Sequence, residues 1–495
     1  MISLYVVLLP VLIALLVLLG RSSAALVRGL AFLGGVGTFA LSLFLAGSEG
    51  FQGAWLPRMG VNFSLDATGA GPVLVLVAAL VMIPTLLVAA TRVEQNAAGF
   101  VALLLLAQAG LNGIFLSKDL IVFYVFWEAT LIPGLLLLGM FGGDKRRQAA
   151  LKYLVYAVAG SMLMLVIILS LKALSGAASF HITELMIATP SLSAGVQTWL
   201  FVGMAIGMVV KLPLWPLHSW LIDLNEQNHP SGAADVLGSL YKVGAFGFFA
   251  WALPLLPAGA ERVAPYLLAL AAVTAVYGAL AAISQQHLKR FLAYGSLSHM
   301  GIIGVGLFGL HLAGLSGAIY FLAAQMLSTG GLFLVAGMLY HRRRSFMLKD
   351  YGGLAKSAPA FAAVSLFLIF AYIGVPGLSN FPGEFMALLG AFQTSPWPAA
   401  FATLAVIAAG VYGVNLYQRL FQGPTTVPTS DLSALELYVL VPFIAGVLWL
   451  GISPAPQLRQ IEQQAALVTI QLERVVEAAD EVPNLTLAGL AGGAK

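Results

Sequence analysis

Four ionisable residues stand where long apolar runs leave them no water. Glu128 lies in IVFYVFWEATLIPG, Lys211 in GMVVKLPLWPLH, Lys242 in VLGSLYKVGAFG and Glu384 in GVPGLSNFPGEFMALLG. A charged side chain at the centre of a membrane span costs roughly 2.5–3.5 kcal/mol even on the lenient insertion scale, so four cost about 10 kcal/mol or more. A buried ion pair, or a lysine snorkelling to the interface, accounts for any one of them but not readily for all four. Two acids and two lysines at membrane depth read as a path for charge, and the chemistry open to them is proton transfer. Burial disfavours the charged form of either group and an opposite charge restores it. A Glu–Lys pair that can associate and separate is therefore a switchable proton site. Glu128 with Lys211 is the pair expected.

Weaker candidates surround these four. Asp235 and Lys242 are seven residues apart, and on one continuous helix they share a face about 10.5 Å apart along the axis. Asp235 also sits near a span end, where the helix dipole alone favours an acid. His299, in FLAYGSLSHMG, falls about ten residues into its span, roughly 15 Å deep. Histidine titrates near neutral pH, so His299 is a possible relay between Lys242 and Glu384, or a neutral ring hydrogen-bonded within the bundle. His218 marks a mouth of the path, and His229, before Pro230, is expected in solvent.

The elements that position these groups follow from composition. Of 495 residues, 60% are hydrophobic and 9% charged, with a net charge of +4. A soluble domain carries roughly 25% charged residues, so a cytosolic enzyme, a disordered regulator and a secreted scaffold are excluded. The 24 Lys and Arg residues of so apolar a chain cannot track phosphates, and no nucleic-acid partner is expected. There is no cysteine, hence no Cys-ligated iron–sulfur cluster, disulfide or zinc–thiolate site in this chain.

Fourteen apolar runs reach the length of a crossing, at about 2–19, 24–46, 69–90, 98–116, 120–141, 150–174, 196–217, 231–256, 263–284, 290–312, 313–341, 359–390, 398–421 and 436–455. No basic residue precedes the first run, so it is read as a retained span and not a signal peptide. Basic residues fix orientation by the positive-inside rule. Arg21, Arg28, Arg92, Lys145, Arg146, Arg147, Lys152, Lys289, Arg290, Arg342, Arg343, Arg344, Lys349, Lys356 and Arg419 fall on one side, against Arg58, Lys118, Lys172 and Arg262 on the other. Both termini are then expected outside. The tail after residue 455 turns polar, and Leu458 to Glu481 has the spacing of a short amphipathic helix.

Two spans carry breaks. The seventh holds Lys211-Leu212-Pro213-Leu214-Trp215-Pro216, and in the twelfth Pro376-Gly377 and Pro382-Gly383 bracket the approach to Glu384. A break is tolerated at membrane depth only where protein or a wet cavity surrounds it. Interrupted spans at matching places in two halves point to inverted repeats. The expected fold is thus an all-α integral membrane protein of about fourteen helices. Residues 1–97 hold the first three, 98–256 a first five-helix repeat (spans 4–8), 263–421 a second (spans 9–13), 436–455 the last span and 456–495 the tail. The repeat is expected to place Glu384 where the first half has Lys211. Gly304-Val305-Gly306-Leu307-Phe308-Gly309 matches a dinucleotide fingerprint but lies inside a span with no preceding strand, so packing glycines are the reading.

WEATLIPGLLLLGMFGG, VVKLPLWPLHSWL, LGSLYKVGAFG, ISQQHLKRFLAYGSLSHMG and VPGLSNFPGEFMALLG together resemble the antiporter-like membrane subunits of respiratory complex I, the chain M or subunit 4 type above all. The resemblance runs from about residue 100 to 390. It implies a proton path from Glu128 and Lys211 through Lys242 to Glu384. The sister chains L and N, and multisubunit Na+/H+ antiporters, generally have lysine at the Glu384 position, and chain L adds a long lateral helix not expected here. The resemblance further implies partners of the L and N types in a membrane arm, a bilayer of the bacterial inner-membrane or thylakoid kind, and no cofactor in this chain. FMN, iron–sulfur clusters and quinone would sit on partner subunits. One departure stands out: Gln325-Met326-Leu327-Ser328 replaces a stretch that in relatives commonly begins with histidine. Gln325 cannot titrate near neutral pH, so protons passing there would need ordered water. A Na+/H+ exchanger subunit is the rival reading, and a structural spacer that conducts nothing is a third.

Overall fold

The computed structural model describes residues 1–240, 242–424 and 428–491, with the backbone alone described at 239–240 and 475–491. Thirteen of its helices are long and apolar enough to cross a membrane. Adding the broken twelfth span, Pro359–Tyr372 with Asn380–Thr394, makes the fourteen expected. Burial is uneven among them. The hydrophobic stretches of the eighth and eleventh spans are wholly buried and that of the tenth 94% buried, whereas those of the first, second and sixth are a third buried or less. A helix apolar all round belongs in a core or against lipid. Here the eighth (Ala233–Leu255), tenth (Leu288–Phe308) and eleventh (Leu312–Arg343) form the core, and Lys242, His299 and Gln325 ride on them.

Both expected breaks are present, and neighbours supply their lost hydrogen bonds. The seventh span runs Ala194–Lys211 and resumes as Ser219–Gln227. Between the halves, the Trp215 N–H donates to Thr274 Oγ1 of the ninth span at 3.0 Å. In the twelfth, Asn380 Nδ2 donates to the Tyr372 carbonyl at 3.1 Å, and its Oδ1 accepts from Ser328 Oγ of the eleventh span at 3.0 Å. Each break therefore obeys the rule that buried backbone must be satisfied by protein. Spans 4–8 and 9–13 each cross five times, an odd number, so the two sets enter from opposite faces, and the fourth member of each carries the proline break.

Four features differ from the expectations. The eighth span is not continuous: helix Ala233–Leu240 gives way before Lys242, which is non-helical, and the helix resumes at Val243. The seven-residue face shared by Asp235 and Lys242 therefore does not exist as an unbroken helical register. Gly244 supplies a reason. A Cβ there would lie 2.4 Å from the Met208 carbonyl and 2.5 Å from the Leu212 nitrogen, so only glycine lets this span press against the break of the seventh. A two-stranded hairpin, β1 Phe51–Leu56 and β2 Val61–Leu65, joins the second and third spans; its left-handed turn residue is Gly60, and Asp119 Oδ2 accepts from the Asn62 N–H at 2.9 Å. The terminal helix runs Ala455–Ala491, longer than Leu458 to Glu481, and Gln464 Oε1 accepts from the Ala70 N–H at 3.0 Å at the start of the third span. Finally, Lys289, expected in a loop or at a span end, stands at the start of the tenth span but is buried there.

Candidate functional site

Lys211 closes the first half of the seventh span, a helix C-terminus that favours a cation. Its Nζ donates to Thr130 Oγ1 at 3.1 Å and to the Trp127 carbonyl at 3.4 Å, and lies 4.8 Å from the centre of the Trp127 ring. These acceptors are available because the fifth span turns at Thr130, between helices Leu120–Ala129 and Leu131–Phe141. Glu128, half-buried on that turn, is near enough to act on Lys211 electrostatically. Among the described residues, however, no ion pair within 4.0 Å joins them. The expected direct pair is thus replaced by a lysine held on neutral acceptors beside the carboxylate.

Lys242 is 2% exposed and also bonds to neutral groups: its Nζ donates to Ser296 Oγ and, at 3.1 Å, to Gln325 Oε1. Gln325 therefore faces the lysine directly, while its own Nε2 is buried with no partner among the described residues. His299 follows Ser296 by three positions, on the same face of the tenth span. Its ring packs edge-on to Tyr372 at 4.6 Å, and its Nε2 lies 3.5 Å from Tyr412 Oη. Glu384 is 4% exposed, with its carboxylate laid against Gly374, where a Cβ would fall 2.1 Å from Oε2. Gly374 has φ +76°, so conformation and space both require glycine there.

The inverted halves do not place Glu384 at the position of Lys211. Lys211 ends the half-helix before its break, whereas Glu384 falls early in the half-helix after its own. Because the repeats run oppositely, both residues belong to half-helices on the same face of the bundle, the face where the chain begins.

Two residues not anticipated, Lys289 and Tyr412, contact ones that were. Asp235 Oδ2 and Lys289 Nζ are 2.8 Å apart at 0% and 1% side-chain exposure, and Lys289 also donates to the Asn228 carbonyl at 2.9 Å. A signal for Lys289 existed in the sequence. It precedes Ser296 by seven residues and His299 by ten, one polar face along an otherwise apolar helix. Tyr412 gave no such signal, because a lone tyrosine on a span is ordinary core. His218 begins the second half of the seventh span and packs edge-on to Tyr277 at 5.2 Å, apart from the Lys242 cluster. His229 is not in open solvent. Its ring meets Phe100 at 5.3 Å, and it lines a cavity of about 390 Å³ with Arg92, Arg146, His341, Arg344 and Glu436. Burial, with the nearby charge of Lys289, pushes its pKa down to about 4, so it is neutral at physiological pH.

Glu128, Lys211, Lys242, His299 and Glu384 thus lie on the fifth to the twelfth spans as buried or half-buried ionisable groups, with Thr130 bonded to Lys211 and Ser296 and Gln325 bonded to Lys242. Comparison with known proteins gives this line a context. Residues 117–409 match the family described as "NADH:quinone oxidoreductase/Mrp antiporter, TM". NADH-quinone oxidoreductase subunit 13 of Thermus thermophilus is 42% identical over 454 residues, 90% of this chain and 94% of that one. Subunit M of Rhodobacter capsulatus is 34% identical over 81% of this chain and 80% of its own length. A chain of the structure titled "Respiratory complex I from Thermus thermophilus with bound NADH" superposes with a TM-score of 0.91 at 40% identity, covering 95% of this chain and all of that one. A chain of an Mrp complex from a Dietzia species has a TM-score of 0.83 at 20% identity, over 94% and 97% of the two chains, and shares the fold alone. The chain is therefore a multi-span membrane protein of the antiporter-like family of NADH:quinone oxidoreductase membrane subunits.

Proposed function

We propose that this chain is a proton-translocating subunit in the membrane arm of an NADH–quinone oxidoreductase. The observation that carries the reading is the row of buried or half-buried ionisable groups, in which Lys211 and Lys242 are held on neutral acceptors and the Glu384 carboxylate keeps an oxygen without a partner among the described residues. Glu128 biases Lys211, and a charge disturbance arriving from the quinone-reducing end would change that bias. The proton released from Lys211 moves to Lys242, through Ser296 and His299, and leaves by way of Glu384. Nothing in the route requires electron transfer in this chain, and FMN, iron–sulfur clusters and quinone belong on partner subunits. Neighbours of the L and N types would flank it, with both termini on the outer face of a bacterial inner membrane or a thylakoid-type membrane. The five-helix units 98–256 and 263–421 would each house half of the route. Identity of 42% to an oxidoreductase subunit supports this assignment over a Na+/H+ exchanger, to which the likeness is one of fold.

Native purification separates the two. Mild-detergent isolation of the tagged chain is expected to recover an assembly that oxidises NADH and shows iron–sulfur signals. Recovery of an assembly that exchanges Na+ for H+ and oxidises no NADH would favour the exchanger.

A further inference from the structure

One link of the route is not supplied by any of the residues used so far. His299 is on the tenth span and Glu384 on the twelfth, and the histidine anticipated on the eleventh is Gln325, which cannot carry a proton. Resting on the proton-translocating reading above, we propose that the hydroxyl of Tyr412, on the thirteenth span, passes the proton between His299 and Glu384.

The geometry points to this one group. Tyr412 is fully buried, and its Oη lies 3.5 Å from His299 Nε2. The residue after it, Gly413, packs on Ile373, where a Cβ would come within 2.4 Å of Cγ2. The thirteenth span is thereby pressed against the break of the twelfth, beside Gly374, on which the Glu384 carboxylate rests. Glu384 is close enough to act on the Tyr412 hydroxyl electrostatically, and its Oε1 is buried without a hydrogen-bond partner among the described residues. An unpartnered buried carboxylate oxygen is an acceptor in need of a donor. The groups around Tyr412 are His299 from the tenth span and Tyr372 and Glu384 from the twelfth, with Lys242 of the eighth acting on His299 in turn. Tyr372 is not the carrier. Its hydroxyl proton is already donated to the Leu292 carbonyl at 3.2 Å, and its hydroxyl neighbours that of Tyr412, the one of the two on which Glu384 acts.

The step balances without any redox partner. His299, protonated from the Lys242 side, gives up the proton on Nε2, and the N–H bond breaks as a new O–H bond forms at Tyr412 Oη. The proton that Oη already held moves to the Glu384 carboxylate, directly or across one water. Imidazolium becomes imidazole, carboxylate becomes carboxylic acid, and tyrosine is neutral before and after. Rotation of the hydroxyl from His299 back towards Glu384 resets the relay.

The test uses the whole complex in inverted membrane vesicles, with proton uptake and NADH oxidation followed together. Tyr412→Phe keeps the ring and removes the hydroxyl, and NADH-driven proton uptake is expected to fall roughly tenfold or more, as for loss of a positioned proton carrier. Tyr372→Phe is expected to pump as the parent does. Lys242→Met serves as the reference. If it abolishes pumping while Tyr412→Phe pumps normally, the relay is wrong and the reading beneath it stands. If Lys242→Met pumps normally, the translocating reading falls and the relay with it. Should Tyr412→Phe fail to assemble, 3-fluorotyrosine at position 412 keeps the size and acidifies the hydroxyl. The pH dependence of pumping should then move to lower pH, and an unchanged profile would overturn the proposal.

Discussion

Lys242→Met is expected to abolish NADH-driven proton transport and to leave the helices assembled. The lysine bonds to both the tenth and eleventh spans, through Ser296 and Gln325. Methionine has similar length and flexibility and fills the same space. It strands Gln325 Oε1, a loss of about 1–3 kcal/mol, but it also removes a buried charge whose desolvation cost at least offsets that loss. Folding therefore survives, and transport falls on the order of a hundredfold, the lower range for removing a positioned acid–base group. Lys242→Arg sharpens the test. Arginine keeps the charge and the donors but cannot release its proton, so it should be equally inactive in vesicle pumping assays. Transport retained by arginine and lost with methionine would mean that charge alone is needed at 242, and a structural role for it.

Asp235→Ala has the opposite profile, a large loss of stability. The Asp235–Lys289 pair is 2.8 Å long and almost without solvent. Removing one member of a buried pair leaves the other charge uncompensated, at about 3–5 kcal/mol, whereas replacing both by apolar residues of similar size is often neutral or better. Asp235→Ala is thus expected to lower the amount of assembled complex or its thermal midpoint sharply, and Asp235→Leu with Lys289→Met to recover it. Blue-native electrophoresis with activity staining reads both. If the double variant is as poorly assembled as the single one, the pair is not what holds these spans.

The four principal charges were legible in the sequence because lipid makes each of them expensive, and the breaks were legible because proline and glycine leave backbone groups unpaired. What surrounds them was less so. The interruption at Lys242 has no proline to announce it; it lies beside the close approach of Gly244 to the Met208 carbonyl, a contact between two spans. Lys289 was counted among the charges of loops and span ends by the basic-residue rule, which cannot tell one that turns inward to Asp235. His229 was placed in solvent on its neighbour Pro230, yet its ring packs on Phe100 and it shares a cavity with four other stretches of the chain. The offset of Glu384 from the Lys211 position depends on which side of a break a helix resumes, and hydropathy does not resolve that. The hairpin Phe51–Leu56 with Val61–Leu65 is too short for its alternation to stand out between two spans.

Glu128 bears most directly on whether this chain moves protons. It is half-buried beside Trp127 and acts on Lys211 without touching it, so Glu128→Gln changes charge while keeping shape. The measurement is proton uptake by inverted vesicles, recorded simultaneously with quinone-linked NADH oxidation. The account predicts that Glu128→Gln vesicles lose most of both, with the complex still assembled. Normal pumping at a normal proton-to-electron ratio would contradict it.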